Sequence, residues 1–224
     1  MPRLFPAVIA LAAGLHACAP AAGPASGSPA LDLLSADAPD WVTVGESVLR
    51  PQWVLEDGVL SLAEGGGGDV TNAQLYGDFT LEFEWRVAPG GNSGVMYRVD
   101  PGHPGAPYET GPEYQVLDNA RHADGASPLT SAGAVYGLYS TDPGAARPAG
   151  QWNTARIDVR GDAVEHWLNG QRVAAYQLGS EDFGRRVAAG KFGDWPGFGR
   201  AQRGLIVLQD HGDAVSYRNM RLRE

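Results

Sequence analysis

The sequence predicts an all-β protein folded as an antiparallel β-sandwich. Three observations carry that expectation. Many short segments alternate apolar and polar residues. The longest places Phe79, Leu81, Phe83, Trp85 and Val87 on one face and Thr80, Glu82, Glu84 and Arg86 on the other. Glycine and proline, 31 and 16 of 224 residues, interrupt these segments at short intervals. Long runs of Ala, Leu, Glu and Lys are missing, which argues against a helical bundle or coiled coil.

The elements follow in order. Trp53–Leu55 and Val59–Leu62 are short strands joined by Asp57-Gly58, a pair that tolerates positive φ and so favours a two-residue hairpin. Phe79–Val87 is the long alternating strand. Gly94–Val99, Glu113–Leu117, Ala134–Tyr139, Ala155–Val159, Ala163–Leu168 and Gln171–Gln177 follow as further strands. Asn169-Gly170 marks a second hairpin, and Arg160-Gly161-Asp162 a third turn. Ser180–Ala189 is the one plausible helix, and Gly204–Gln209 and Ala214–Arg223 close the series. So many strands with almost no crossover helices imply antiparallel pairing. No repeat of fixed period suggests a propeller or solenoid.

Net charge bounds the partners. Seventeen Lys and Arg stand against 26 Asp and Glu, for a formal charge of −9. Such a chain lacks the dense positive footprint that nucleic acid requires. Lys191 is the single lysine; the other 16 cations are arginines.

Residues 1–17 read as an export signal: Arg3 supplies a positive start, and Phe5–Leu15 form an apolar stretch too short to span a bilayer. Leu15-His16-Ala17-Cys18 resembles a bacterial lipobox, which implies cleavage before Cys18 and lipid attachment to its sulfur. Cys18 is the only cysteine, so no intramolecular disulfide forms. Residues 18–30, the anchor and a run of small residues, Pro and Gly, read as a flexible tether. The folded domain is expected over 31–224. With Ala19 rather than Asp after the cysteine, the pattern resembles lipoproteins of an outer membrane, facing the periplasm or the cell surface.

Nine collinear segments carry a family resemblance: Tyr76–Val87, Gly90–Arg98, Glu113–Asn119, Gly133–Tyr139, Pro148–Ile157, His166–Gly170, Lys191–Gly199, Gly204–Asp213 and Val215–Arg223. Together they resemble the 3-keto-disaccharide hydrolases. The resemblance implies a jelly-roll sandwich of the concanavalin A-like lectin/glucanase kind. It also implies a saccharide substrate oxidised at C3, in a secreted or lipid-anchored bacterial setting where an upstream sugar 3-oxidoreductase is a candidate partner.

The residues themselves suggest where chemistry resides. Asp100–Pro112, Asn119–Gly133 and Lys191–Arg203 are long irregular stretches, and long loops in a compact sandwich commonly build a site. Alternation puts Glu113 and Gln115 on one face of their strand and Asp118 on the other unless a bulge intervenes. No Glu-x-Asp-x-x-Glu motif occurs, so an ordinary retaining glycosidase with two close carboxylates is disfavoured. A 3-keto sugar allows another route: a base removes the C2 proton beside the ketone, and the C1 oxygen leaves by elimination. The catalytic candidates are Glu113 or His211 as base, Lys191 and Arg98 at the enolate oxygen, and His211 or Asp118 as the acid for the leaving group. Asn92, Arg98, Gln115 and Trp195 are the substrate-binding candidates, with His103 and His122 at a pocket rim. No cofactor is required by the sequence, although a divalent cation held by carboxylates and His211 would substitute for the cationic side chains. A non-catalytic carbohydrate-binding module of the same fold is the alternative. Convergent ionisable groups separate the two, because a binding module needs few of them.

Overall fold

A strand that alternates apolar and polar residues buries one face, and two such sheets stacked face to face make a sandwich core. The computed structural model describes residues 29–224, and the chain follows this rule. The export segment, Cys18 and all but the last two residues of the tether lie outside the described residues.

The strands in chain order are β1 (Leu31–Asp32), β2 (Val42–Thr43), β3 (Trp53–Glu56), β4 (Val59–Leu62) and β5 (Val70–Thr71). Next come β6 (Phe79–Val87), β7 (Asn92–Val99), β8 (Glu113–Leu117), β9 (Asn153–Arg160) and β10 (Ala163–Leu168). The last three are β11 (Gln171–Gln177), β12 (Leu205–Leu208) and β13 (Val215–Arg223), with helix α1 (Glu181–Ala189) between β11 and β12. The larger sheet has eight strands in the order β11-β10-β9-β6-β13-β4-β3, with β1 on the flank of β13. The smaller sheet has five, in the order β2-β5-β12-β7-β8. Every pairing is antiparallel.

Burial along β6 alternates as its sequence demands, with Phe79, Leu81, Phe83, Trp85 and Val87 all buried. They meet Tyr114, Val116, Ile206 and Leu208 in one core. Each large side chain so buried contributes roughly 1.5–3 kcal/mol. Asn169 and Gly170 have positive φ of 48° and 83°, and Asp57 and Gly58 of 50° and 72°, as their hairpins require. Helix α1 begins where Ser180 accepts a hydrogen bond from the Phe183 N–H at 3.1 Å. Among the described residues no helix is long and apolar enough to cross a membrane.

One expected strand is absent. Ala134–Tyr139 alternates in sequence but forms a tight turn against the edge of β8. Gly133 and Gly137 take positive φ of 86° and 68°, and the Leu138 N–H bonds the Val135 carbonyl at 2.8 Å. The glycines that punctuate this segment outweigh its period. Strands β1, β2 and β5 were not expected, since two residues carry no periodicity.

Candidate active site

The register of the smaller sheet defines the floor of the site. Met96 pairs with Glu113, and Gly94 with Gln115. Across the other edge of β7, Met96 pairs with Val207, which pairs in turn with Thr71 of β5. Tyr114 and Val116 point into the core, so Glu113 points the other way, onto the sheet's outer face. There its carboxyl group leans across Gly94. A methyl group at that position would lie 2.7 Å from the Glu113 Cδ and 2.8 Å from its Cγ, and closer still to Oε1. The glycine leaves room for the acid.

Asp69 reaches the same floor from the residue preceding β5. Its Oδ1 accepts a 2.9 Å hydrogen bond from the Asp210 N–H. Asp210 in turn pins the run Gly65–Gly68: its Oδ2 accepts from the N–H groups of Gly66 at 2.9 Å and Gly68 at 2.8 Å. Gly66 and Gly68 have φ of +101° and +69°, a conformation that excludes ordinary side chains and explains the glycine run before Asp69.

The third wall is the segment from Asn119 to Tyr139. Asp124 sits in a single 3-10 turn, Ala123–Ala126, capped by the His122 Nδ1, which accepts from the Asp124 N–H at 3.1 Å. The Tyr136 hydroxyl donates to Asp124 Oδ2 at 3.3 Å, and the Tyr136 N–H donates to the Glu113 carbonyl at 3.1 Å. Lys191 follows α1 and holds its ammonium 4.7 Å above the Tyr136 ring, a cation–π distance. The same nitrogen lies 5.6 Å from the Phe192 ring and 6.0 Å from that of Trp195.

Electrostatics separate the two central acids. Burial pushes the Glu113 carboxyl up to about 8, opposed by the Lys191 ammonium and reinforced by the charges of Asp69 and Asp124. Burial also raises Asp69, to about 6, against the hydrogen bond from Asp210. Tyr136 is pushed up to about 12, first by burial and then by Asp124. Near neutral pH Glu113 therefore keeps its proton while Asp69 is ionised. Among the described residues no three His, Cys, Asp or Glu side chains are grouped to hold a metal ion.

The expected site residues divide. Lys191 lies near enough to Glu113 for its ammonium to draw the carboxyl group toward ionisation. His211 is exposed at the rim, its ring 6.1 Å from that of His122 and edge-on to it. Trp195 is half-buried among Phe192, Phe198 and Tyr108, beside Lys191. The other four do not reach an open surface. Asp118 is buried, and its two oxygens accept from the N–H groups of Gly90 at 2.8 Å and Ala120 at 3.1 Å. With no bulge between β7 and β8, alternation keeps it away from Glu113. Arg98, 2% exposed with φ of +49°, turns toward the Gly161 carbonyl at 2.7 Å, at the β9–β10 turn. Gln115 shares the face of Glu113 but lies under the loop, its Nε2 donating to the Thr130 carbonyl at 3.2 Å. Asn92 is 2% exposed and bonds Asp213 through its backbone. All of β7 is buried, which leaves no free side chain on it for a saccharide. Reading the sequence missed Asp69, Asp124 and Tyr136; the four glycines before Asp69 were the available signal.

A cavity of about 410 Å³ opens elsewhere, on the outer face of the larger sheet beside Glu82, Glu84, Arg156 and Trp167. Its charges are taken up in cross-strand pairs, Arg218–Glu84 at 2.7 Å and Arg223–Glu82 at 2.8 Å, and Arg156 stacks 4.2 Å from the Trp167 ring. No acid there is set apart for proton transfer.

Comparison with known proteins completes the assignment. Residues 33–223 match the profile of the 3-keto-alpha-glucoside-1,2-lyase-like domain. The chain belongs to that family. A 3-keto-disaccharide hydrolase of Bacteroides thetaiotaomicron is 33% identical over 213 residues, covering 82% of this chain and 73% of the relative. The crystal structure of a candidate glycosyl hydrolase from Parabacteroides distasonis aligns with a TM-score of 0.75 at 31% identity, over 82% of this chain and 87% of that one. The β-glucanase of Bacillus licheniformis shares the fold at a TM-score of 0.52 and 10% identity, over 88% and 98% of the two chains. These matches bear out the family resemblance and the jelly-roll architecture.

Proposed function

We propose that this protein cleaves the glycosidic bond of 3-keto-glycosides or 3-keto-disaccharides by removing the proton beside the ketone and eliminating the C1 substituent. The family and the Bacteroides relative support a glycosidic-bond hydrolase. The observation that carries the mechanism is the Glu113 carboxyl leaning over Gly94, with the charges of Asp69 and Lys191 near enough to act on it.

Asp69, ionised, takes the C2 proton. The C2–H electrons form the enolate, whose oxygen the Lys191 ammonium stabilises. The enolate then restores the C3 carbonyl, C1 and C2 become doubly bonded, and the C1–O bond breaks. Glu113, protonated, donates to the departing oxygen. Water next adds across the double bond: its oxygen bonds C1, its proton returns to Glu113, and Asp69, its acid proton meanwhile exchanged with solvent, delivers a solvent-derived proton to C2. The net reaction consumes one water and leaves both acids as they began. This scheme uses no cofactor; loss of turnover on adding a chelator, restored by a divalent cation, would bring a metal into it.

The test is turnover of a 3-keto-glycoside in D2O beside its unoxidised parent. The scheme expects release of the C1 substituent from the ketone alone, with deuterium at C2 of the product. Equal cleavage of the parent, or product free of deuterium, refutes elimination.

The lipobox-like run Leu15–Cys18 supports a reading in which the protein is exported and lipid-anchored at Cys18 in the cell envelope, with the outer membrane as the expected site. A sugar 3-oxidoreductase upstream would supply the ketone. Incorporation of a labelled fatty acid that Cys18→Ser abolishes checks the anchor; labelling unaffected by that substitution rules it out.

A further inference from the structure

His166 is wholly buried on β10, between the sheets, and the scheme above gives it no task. Its two ring nitrogens are both engaged. Nδ1 lies 3.1 Å from the Gly133 carbonyl oxygen, and Nε2 lies 2.8 Å from the Tyr97 hydroxyl. A carbonyl only accepts, so Nδ1 carries the proton. In the neutral ring Nε2 then accepts from the Tyr97 O–H, and the Tyr97 oxygen accepts from the Tyr176 O–H at 2.6 Å. Burial holds the imidazole down at about 4, so it stays neutral at working pH.

The far end of this chain matters most. Gly133 opens the turn that carries Tyr136. Its N–H donates to the Gln115 carbonyl at 2.8 Å, and the Tyr136 N–H donates to the Glu113 carbonyl. The turn's other end is held as well, because Tyr139 stacks on Tyr176 at 4.9 Å with an interplanar angle of 25°. The same tyrosine that begins the hydrogen-bond chain thus grips the turn from its second side.

We infer that His166 is a positioning residue: through its single fixed tautomer it braces the Gly133–Tyr139 turn and so sets Tyr136 and Glu113 against Lys191. The activity arm of the test rests on the proposed reaction; the arm that follows Glu113 by NMR does not. Support of this kind matters because a displacement near 1 Å at the reacting groups costs about 10²-fold.

Three substitutions separate the roles. His166→Leu removes the brace, His166→Asn keeps an N–H donor near the Nδ1 position, and Tyr97→Phe deletes one oxygen while leaving the ring. The expected result is a fall in kcat of about 10²-fold for His166→Leu with KM within about threefold. His166→Asn recovers most of it, and Tyr97→Phe lies between. If His166→Leu does not fold, His166→Asn and Tyr97→Phe carry the comparison. Unchanged kcat per folded molecule in every variant that folds, with only thermal stability lowered, overturns the inference. Independently, a ¹³C-labelled Glu113 carboxyl should titrate at a different pH in Tyr97→Phe than in the parent protein. Identical titration curves overturn the brace whatever the substrate proves to be. A parent protein inactive on 3-keto-glycosides overturns the reaction while that titration still decides the brace.

Discussion

Gly94→Ala tests the site where stability and catalysis make opposite demands. The added methyl group would lie 2.7 Å from the Glu113 Cδ and 2.8 Å from its Cγ. Carbon atoms rest at about 3.5–4.0 Å, so the carboxyl group must retreat by roughly 1 Å. The atoms in the way belong to the end of a flexible side chain, and Gly94 is not among the glycines held at positive φ. Folding therefore loses little, and the stiffer unfolded chain returns about 0.4–1 kcal/mol. Catalysis has no such relief. A 1 Å error at the proton donor costs about 10²-fold in turnover. The expected outcome is a Tm within a few degrees of the parent and kcat on a 3-keto-glycoside lowered about 100-fold. Calorimetry and initial rates on the same sample measure both. Parent-like turnover would refute the placement of Glu113 as donor, and a Tm that collapses with activity would refute the steric argument.

The remaining predictions concern charge. Turnover should follow a bell in pH, rising as Asp69 ionises at about 6 and falling as Glu113 loses its proton at about 8; a single rising limb that persists past the upper value contradicts the acid role. Glu113 sits above its unfolded value of 4.5, so its contribution to stability is fully present below that pH and is lost as pH rises toward about 8. Glu113→Gln should therefore melt higher than the parent in alkaline buffer and alike in acid, while losing about 10² or more in kcat; equal melting in both buffers contradicts the raised titration of Glu113. Asp118→Ala leaves the Gly90 and Ala120 N–H groups without acceptors and should cost about 1–3 kcal/mol in urea denaturation. Its kcat per folded molecule should stay near the parent's, whereas a loss beyond tenfold would return Asp118 to the chemistry.

What was legible in the sequence follows from where the physics is local. Phe79–Val87 could be read to the residue, because nine residues of alternation leave no second register. Asp57-Gly58 and Asn169-Gly170 declared their turns through backbone freedom alone. Glu113 was legible too: β8 has the expected bounds, and its face follows from period two. The failures are non-local. Arg98 lies at a left-handed residue beside a register shift between β7 and β12, and one such residue turns the side chain away from the face that alternation assigns. Gln115 points the expected way but is covered by the Asn119–Gly133 loop, and a loop's resting place is not written in its own period. Asp69 is an ordinary acid in sequence. Its importance comes from Asp210, 141 residues further along, whose backbone N–H fixes it.

The arrangement does not suit an ordinary retaining glycosidase. A retaining glycosidase sets two carboxyl groups about 5–5.5 Å apart across one bond. Here the two central acids come from the start of β5 (Asp69, the residue before it) and from β8, and β12 and β7 lie between those strands in the sheet. At about 4.8 Å per strand their backbones are roughly 14 Å apart, and Glu113 closes part of that gap by leaning over Gly94. Elimination suits such spacing, because its two proton transfers occur on different atoms, C2 and the oxygen leaving C1. The acids are still near enough for each charge to bear on the other. Ionised Asp69 helps keep Glu113 protonated, so the pair holds one proton over a range of pH. Lys191 sets the limit of that coupling, since its ammonium pulls Glu113 back toward ionisation. In the proposed scheme the lone lysine of the chain thus acts on both the enolate and the donor that follows it.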